Sequence, residues 1–216
     1  MLVGATVAAC LDGDVDPADH WPLPDAPELR DALHAAYADP SRGYHDVQHL
    51  AEVLRRLSEL ARAGFVYDPV PVLLAAWFHD AVYDGERDAE ERSAAWAEDA
   101  LVGLVDDAQV AEVARLVRLT ETHDPAPDDA NGCALSDADL AILAAPAERY
   151  AAYAAAVRVE YAHLDDATFH AGRAQVLQGL GAKERLFHTP YAAERWEAPA
   201  RANLENELAG LLALIG

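Results

Sequence analysis

The chain has 216 residues, 52% of them hydrophobic, and a formal charge of −22 at neutral pH. That apolar content supports one sizeable domain, or two small ones, and excludes an intrinsically disordered chain. So acidic a protein repels nucleic-acid backbone and anionic lipid, which excludes polymeric nucleic acid and membrane surfaces as partners. A small phosphorylated ligand stays open, because screening within about 8 Å lets a local cation dominate a pocket.

At the N-terminus, Val7-Ala8-Ala9-Cys10 has the outline of a lipoprotein cleavage box but lacks a basic flank and a long apolar stretch. Residues 1–24 are expected to be a tail or loop, with Asp12–Asp16 a solvated turn rather than a calcium site, since the closing Glu is missing. From there to residue 216 the periodicity is helical. Pro27–Tyr37 is a first helix with Asp25 as its cap, and His45–Ala63 a long second one closed by Gly64. Pro69–Val82, Glu86–Leu101 and Asp107–Thr120 follow, then Ser136–Leu143, opened by a Ser136/Asp139 capping box. Ala147–Tyr161, Asp166–Leu180 and Pro199–Ile215 complete the set, with Pro125–Gly132 as a loop. The prediction is one all-α domain over residues 25–216, with eight to ten helices.

No apolar run approaches the roughly 20 residues of a membrane span. The longest, Val70–Phe78, is interrupted by Pro71. Two cysteines, Cys10 and Cys133, make no disulfide framework, and a cytoplasmic location is expected.

Polar residues inside this apolar pattern carry the chemistry. His79 and Asp80 end the run that begins at Val70. His45 and His49 lie one helical turn apart, with Leu50 and Val53 beside them, so their face looks inward. Buried imidazoles left without partners cost about 1–3 kcal/mol each. Asp137 and Asp139 sit in an otherwise apolar helix. His49, His79, Asp80 and Asp139 therefore form a nitrogen and oxygen set from three helices, the way metal sites in helical cores are assembled.

Four stretches, Tyr44–His49, Phe78–Asp84, Glu90–Ala94 and Glu197–Leu204, together resemble the HD-domain superfamily of metal-dependent phosphohydrolases. They are most similar to a branch marked by YHxxxH, FHDxVYD, EExSA and ExxARxNL, and the resemblance spans roughly residues 28–208. It implies an all-α HD-type fold holding a divalent ion, Mn, Fe, Co, Ni, Zn or Mg, on His49, His79, Asp80 and Asp139. Asp137 is the alternative for the last place, and one ion is favoured over two. It further implies hydrolysis of a small phosphate ester or nucleotide. Asp84 would act on the attacking water, and His45, the counterpart of a phosphodiesterase histidine, would protonate the leaving oxygen.

Arg42, Tyr44, His123 and Arg201 are the candidate substrate contacts. Arg185, His188, Glu197 and Asn203 either line the pocket or tie down the C-terminal region. His20, His34, His163 and His170 are assigned to surface or packing. The alternatives are a helical binding or regulatory module in which the metal is structural, and an HD-type di-iron oxygenase, which needs more histidine ligands.

Overall fold

The computed structural model describes residues 16–85 and 88–215. Met1–Cys10 and the turn up to Val15 lie outside them, as do Glu86, Arg87 and Gly216. Ten α-helices fold into one helical body, with no strand among the described residues. The helices are α1 (Pro27–Tyr37), α2 (Val47–Arg62), α3 (Pro69–Phe78), α4 (Ala89–Ala100), α5 (Asp107–Leu119), α6 (Ala130–Leu140), α7 (Ala147–Glu160), α8 (Asp166–Ala182), α9 (Pro190–Arg195) and α10 (Glu197–Ile215). Short 3₁₀ turns cover Pro17–His20 and Ala141–Ala144.

Helix α2 shows why the pattern folds this way. Leu50, Val53, Leu54, Leu57 and Leu60 recur at three- and four-residue steps, and all five are buried. Each such side chain contributes about 1.5–3 kcal/mol on leaving water. Gly64, at φ +92°, ends the helix in the left-handed region, with the Phe65 N–H returned to the Leu60 carbonyl at 3.0 Å. Around α2 pack α3 and α6, while α5 lies against α3 and α4, and α10 against α8 and the 141–144 turn. The described residues before Pro27 join this body, since Trp21 meets Trp77 edge-on at 5.3 Å.

Several expected boundaries move. Helix α1 begins behind Ala26, with no side-chain cap, so Asp25 does not cap it; Pro27 supplies the preset first turn instead. Helix α4 starts at Ala89 rather than Glu86, and α9 was not foreseen. The expected Ser136 capping box is absent. Asp129 opens α6 six residues earlier by accepting the Gly132 N–H at 2.9 Å, and Ser136 is buried mid-helix. The weak helix formers Asn131, Gly132 and Cys133 hid this start, and burial against neighbouring helices overrides their propensity. A Cβ added at Gly132 would fall 2.7 Å from Leu119 Cδ2 and closer still to the Asp129 carboxylate, so those side chains would have to shift to admit it.

Helix α3 ends at Phe78 rather than Val82. The carbonyls of Asp80 and Ala81 turn outward to Arg42, which donates to them at 2.7 and 3.0 Å and to the His45 carbonyl at 2.7 Å. One guanidinium thus fastens the His79-Asp80 turn to the loop before α2.

Candidate metal centre

The centre is built on the ends of three helices. At the start of α2 the Asp46 carboxylate accepts the Gln48 and His49 N–H groups at 2.9 and 3.1 Å, which fixes the first turn and aims His49 inward. His79 caps α3, and its Nδ1 lies 2.8 Å from the Ala76 carbonyl. A carbonyl only accepts, so Nδ1 carries the proton and Nε2 keeps its lone pair for the centre. The buried Tyr37 hydroxyl stands 3.4 Å from the same Nδ1 and accepts the Asp80 N–H at 3.2 Å.

Of the four expected ligands, His49, His79 and Asp139 gather as one group, and Asp80 stands against both imidazoles. The Nε2 atoms of His49 and His79 are 3.0 Å apart. Asp80 Oδ2 lies 3.2 and 3.0 Å from them, and Asp139 Oδ1 3.2 and 3.7 Å. Atoms bound about 2.1 Å from one ion stand roughly 3.0–3.4 Å apart, so this spacing fits a shared cation. The donor atoms of His49, His79 and Asp139 all fall within 4.8 Å of one another, and both imidazoles are almost wholly buried.

Electrostatics point the same way. Burial opposes charge on each imidazole, yet Asp139 and Asp80 outweigh it, lifting His49 to about 10 and raising His79. Burial also opposes charge on the carboxylates, yet the imidazoles, His79 foremost, hold Asp139 down at about 2 and Asp80 well below the ordinary range. The centre therefore asks for about two positive charges, which two protons or one divalent cation would supply.

Asp137, the alternative ligand, points elsewhere. Its carboxylate accepts the backbone N–H groups of His188 and Thr189 at 2.7 Å each, although burial pushes its pKa up to about 6. It ties the segment before α9 to α6. Asp137→Ala leaves two buried donors without an acceptor, at about 1–3 kcal/mol each. A melting temperature lower by roughly 4–24 °C is expected by calorimetry, with metal content unchanged.

The other expected residues divide. His45 sits beside the centre, its ring 5.6 Å from that of His49 and stacked on Tyr83 at 4.0 Å. Its Nδ1 is 2.8 Å from Glu160 Oε2, while Glu160 Oε1 accepts the N–H groups of Gly43, Tyr44 and His45 at 3.1, 2.8 and 2.8 Å. Burial resists this carboxylate, but the His45 bonds lower its pKa. Glu160 is not among the residues expected at the site. The available signal was that it extends the buried α7 stripe of Tyr150, Tyr153 and Val157 by three residues.

Tyr44 packs its ring on His49 at 4.7 Å, and its buried hydroxyl has no hydrogen-bond partner. With His49, Asp139, Arg55, Arg56 and Arg149 it borders a cavity of about 360 Å³. His123 follows α5 in a left-handed conformation, φ 48°. Its Nε2 is 3.6 Å from Asp139 Oδ2, and burial lowers its pKa. Strain of this kind gathers at functional sites.

The structure places Asp84, Arg42 and Arg201 in other contacts. Because α3 stops at Phe78, Asp84 is not one helical turn from Asp80; it pairs with Arg92 through two 2.7 Å bonds at the surface. Arg42 binds the three carbonyls of its clamp. Arg201 binds Glu197 at 2.7 Å and the carbonyls of Gly181, Lys183 and Glu184, stitching α10 to the end of α8. Both arginines hold backbone together rather than present a free face to a phosphate. Compared with known proteins, the chain matches no protein-family model, no curated protein and no solved structure.

Proposed function

We propose that the protein is a metal-dependent phosphohydrolase of the HD type, acting on a small phosphate ester or nucleotide. The observation that carries this reading is the meeting of two Nε2 atoms, 3.0 Å apart, with two carboxylates that each lie 3.0–3.7 Å from them, beside a cavity bearing arginines. A divalent ion held by His49, His79, Asp80 and Asp139 supplies charge neutralisation at phosphorus and a more acidic water.

The protein's own groups do the rest. Arg149, fixed by Glu52 at 2.8 and 2.9 Å, and the unpartnered Tyr44 hydroxyl offer donors to phosphoryl oxygens. His45, held by Glu160, gives its proton to the leaving oxygen. In the balanced step a water oxygen bonds to phosphorus and the bond to the leaving oxygen breaks. One water proton stays on the phosphate, and the other replaces, through solvent, the proton His45 gave. The products are an alcohol and hydrogen phosphate.

The test is elemental analysis of the purified protein, followed by a panel of nucleotides and phosphate esters with Mn, Co, Ni or Mg. Turnover lost on chelation and restored by metal is expected. A tightly bound ion with no turnover on any ester would instead make the metal structural.

A further inference from the structure

Tyr44 and His45 are consecutive, yet they border different cavities. Tyr44 faces the arginine-bearing one. His45 faces a second of about 390 Å³, within the roughly 300–1000 Å³ of small-molecule sites. This second cavity lies between α7 and α8 and is walled by the rings of Tyr83, Tyr153, Tyr161 and Phe169. Its one cation, Arg173, is committed elsewhere, bound to Glu207 at 2.8 Å and lying over the Tyr153 ring at 5.1 Å. The wall thus offers aromatic faces and no unengaged arginine or lysine for a phosphate.

Gly172, also on the wall, stands in the middle of α8, where glycine is disfavoured by about 1 kcal/mol relative to alanine. A Cβ added there meets no atom within 4 Å, so packing inside the protein does not require this glycine. Leaving it bare keeps the aromatic chamber open.

We propose that this cavity holds the organic group of the substrate, a flat uncharged aromatic ring such as a nucleobase, while the phosphate lies at the metal centre. His45 lines the cavity, stacked on Tyr83, with its ring 5.6 Å from that of His49, and so stands where the bond between the two parts breaks. The chamber selects aromatic phosphate monoesters over aliphatic ones, because ring-on-ring stacking is available only to the former. The inference rests on the hydrolase reading for its kinetic arm, and its binding arm stands apart.

For the binding arm, adenosine and 2-naphthol, which carry no phosphate, are titrated calorimetrically into the metal-loaded wild type, Gly172→Leu and Gly179→Leu. Gly179 is on the same helix, and its added Cβ likewise meets nothing within 4 Å, but it does not line the cavity. For the kinetic arm, KM is compared for adenosine 5′-monophosphate, 2-naphthyl phosphate and glycerol 2-phosphate. Gly172→Leu is expected to weaken aromatic binding and to raise the aromatic-to-aliphatic KM ratio, each about tenfold or more. Gly179→Leu should change neither, and whichever aromatic probe binds more tightly identifies the ring as nucleobase or simple aryl. Absence of aromatic binding to the wild type, or equal binding by Gly172→Leu, overturns the proposal. Aromatic binding lost in Gly172→Leu, with no ester hydrolysed by any variant, upholds the cavity and sinks the hydrolase reading.

Discussion

If the proposed hydrolase reading holds, Asp80→Asn should purify without a divalent ion and lose hydrolysis almost entirely. Asp80 Oδ2 touches both imidazole nitrogens, at 3.0 and 3.2 Å, so its charge is shared by the whole centre. Changes one shell further out typically lower metal affinity or activity by about 10–100-fold, and loss of a direct ligand exceeds that. Asparagine keeps the volume, so far-ultraviolet circular dichroism should remain helical.

Stability gives a second readout. Ligand present at about 1000 times its dissociation constant stabilises a folded protein by roughly 4 kcal/mol. At about 2–4 °C per kcal/mol for a domain of this size, chelation should lower the wild-type melting temperature by roughly 8–16 °C. The same chelator should leave Asp80→Asn unmoved. A variant that retains stoichiometric metal would show that Asp80 is not a ligand.

Glu160→Gln should slow the reaction without loss of metal. Positioned acid–base groups contribute about 10²- to 10⁴-fold, and Glu160 reaches the chemistry through His45 while also holding the 43–45 backbone. Its replacement should cost less than His45→Ala, and the fall should appear in kcat more than in KM. The signature is leaving-group dependence. Alkyl phosphates, whose oxygen needs a proton, should lose far more than p-nitrophenyl phosphate, whose oxygen does not. A purely structural glutamate would slow both substrates alike.

Stability offers an independent check with a defined sign. The folded-state value of Glu160 lies below the roughly 4.3 of an unfolded glutamate. Its charge therefore stabilises the protein above that pH, and the contribution fades as pH falls through the folded value. The melting-temperature gap between wild type and Glu160→Gln should be widest near neutrality and close below about pH 4.

Both experiments concern residues that differ in how far they could be read in advance. His49, His79 and Asp80 were legible because each interrupts a helical apolar stripe, where an unpartnered polar group is costly. The all-α class was legible for the same reason, since three- and four-residue periodicity runs through most of the chain. Asp139 was legible as a member of a pair, but its rivalry with Asp137 was not resolved by spacing. The capping box assigned to Ser136 misplaced the start of α6, and only the packed helix shows Asp137 turned to the His188 and Thr189 N–H groups and Asp139 turned to the imidazoles.

Asp84 and Glu160 mark the other boundary. Asp84 was expected at the centre on the assumption that α3 continued past His79, and the Arg42 clamp on the Asp80 and Ala81 carbonyls accompanies a turn there instead. Glu160 is 115 residues from its imidazole partner, a pairing no local period encodes. What the sequence determined by itself was the helical class and which polar residues had to be satisfied inside, because both follow from neighbours within a turn or two. What only the tertiary structure decided was which distant group satisfies which, and where the cavities open, because those depend on how helix ends meet across the core.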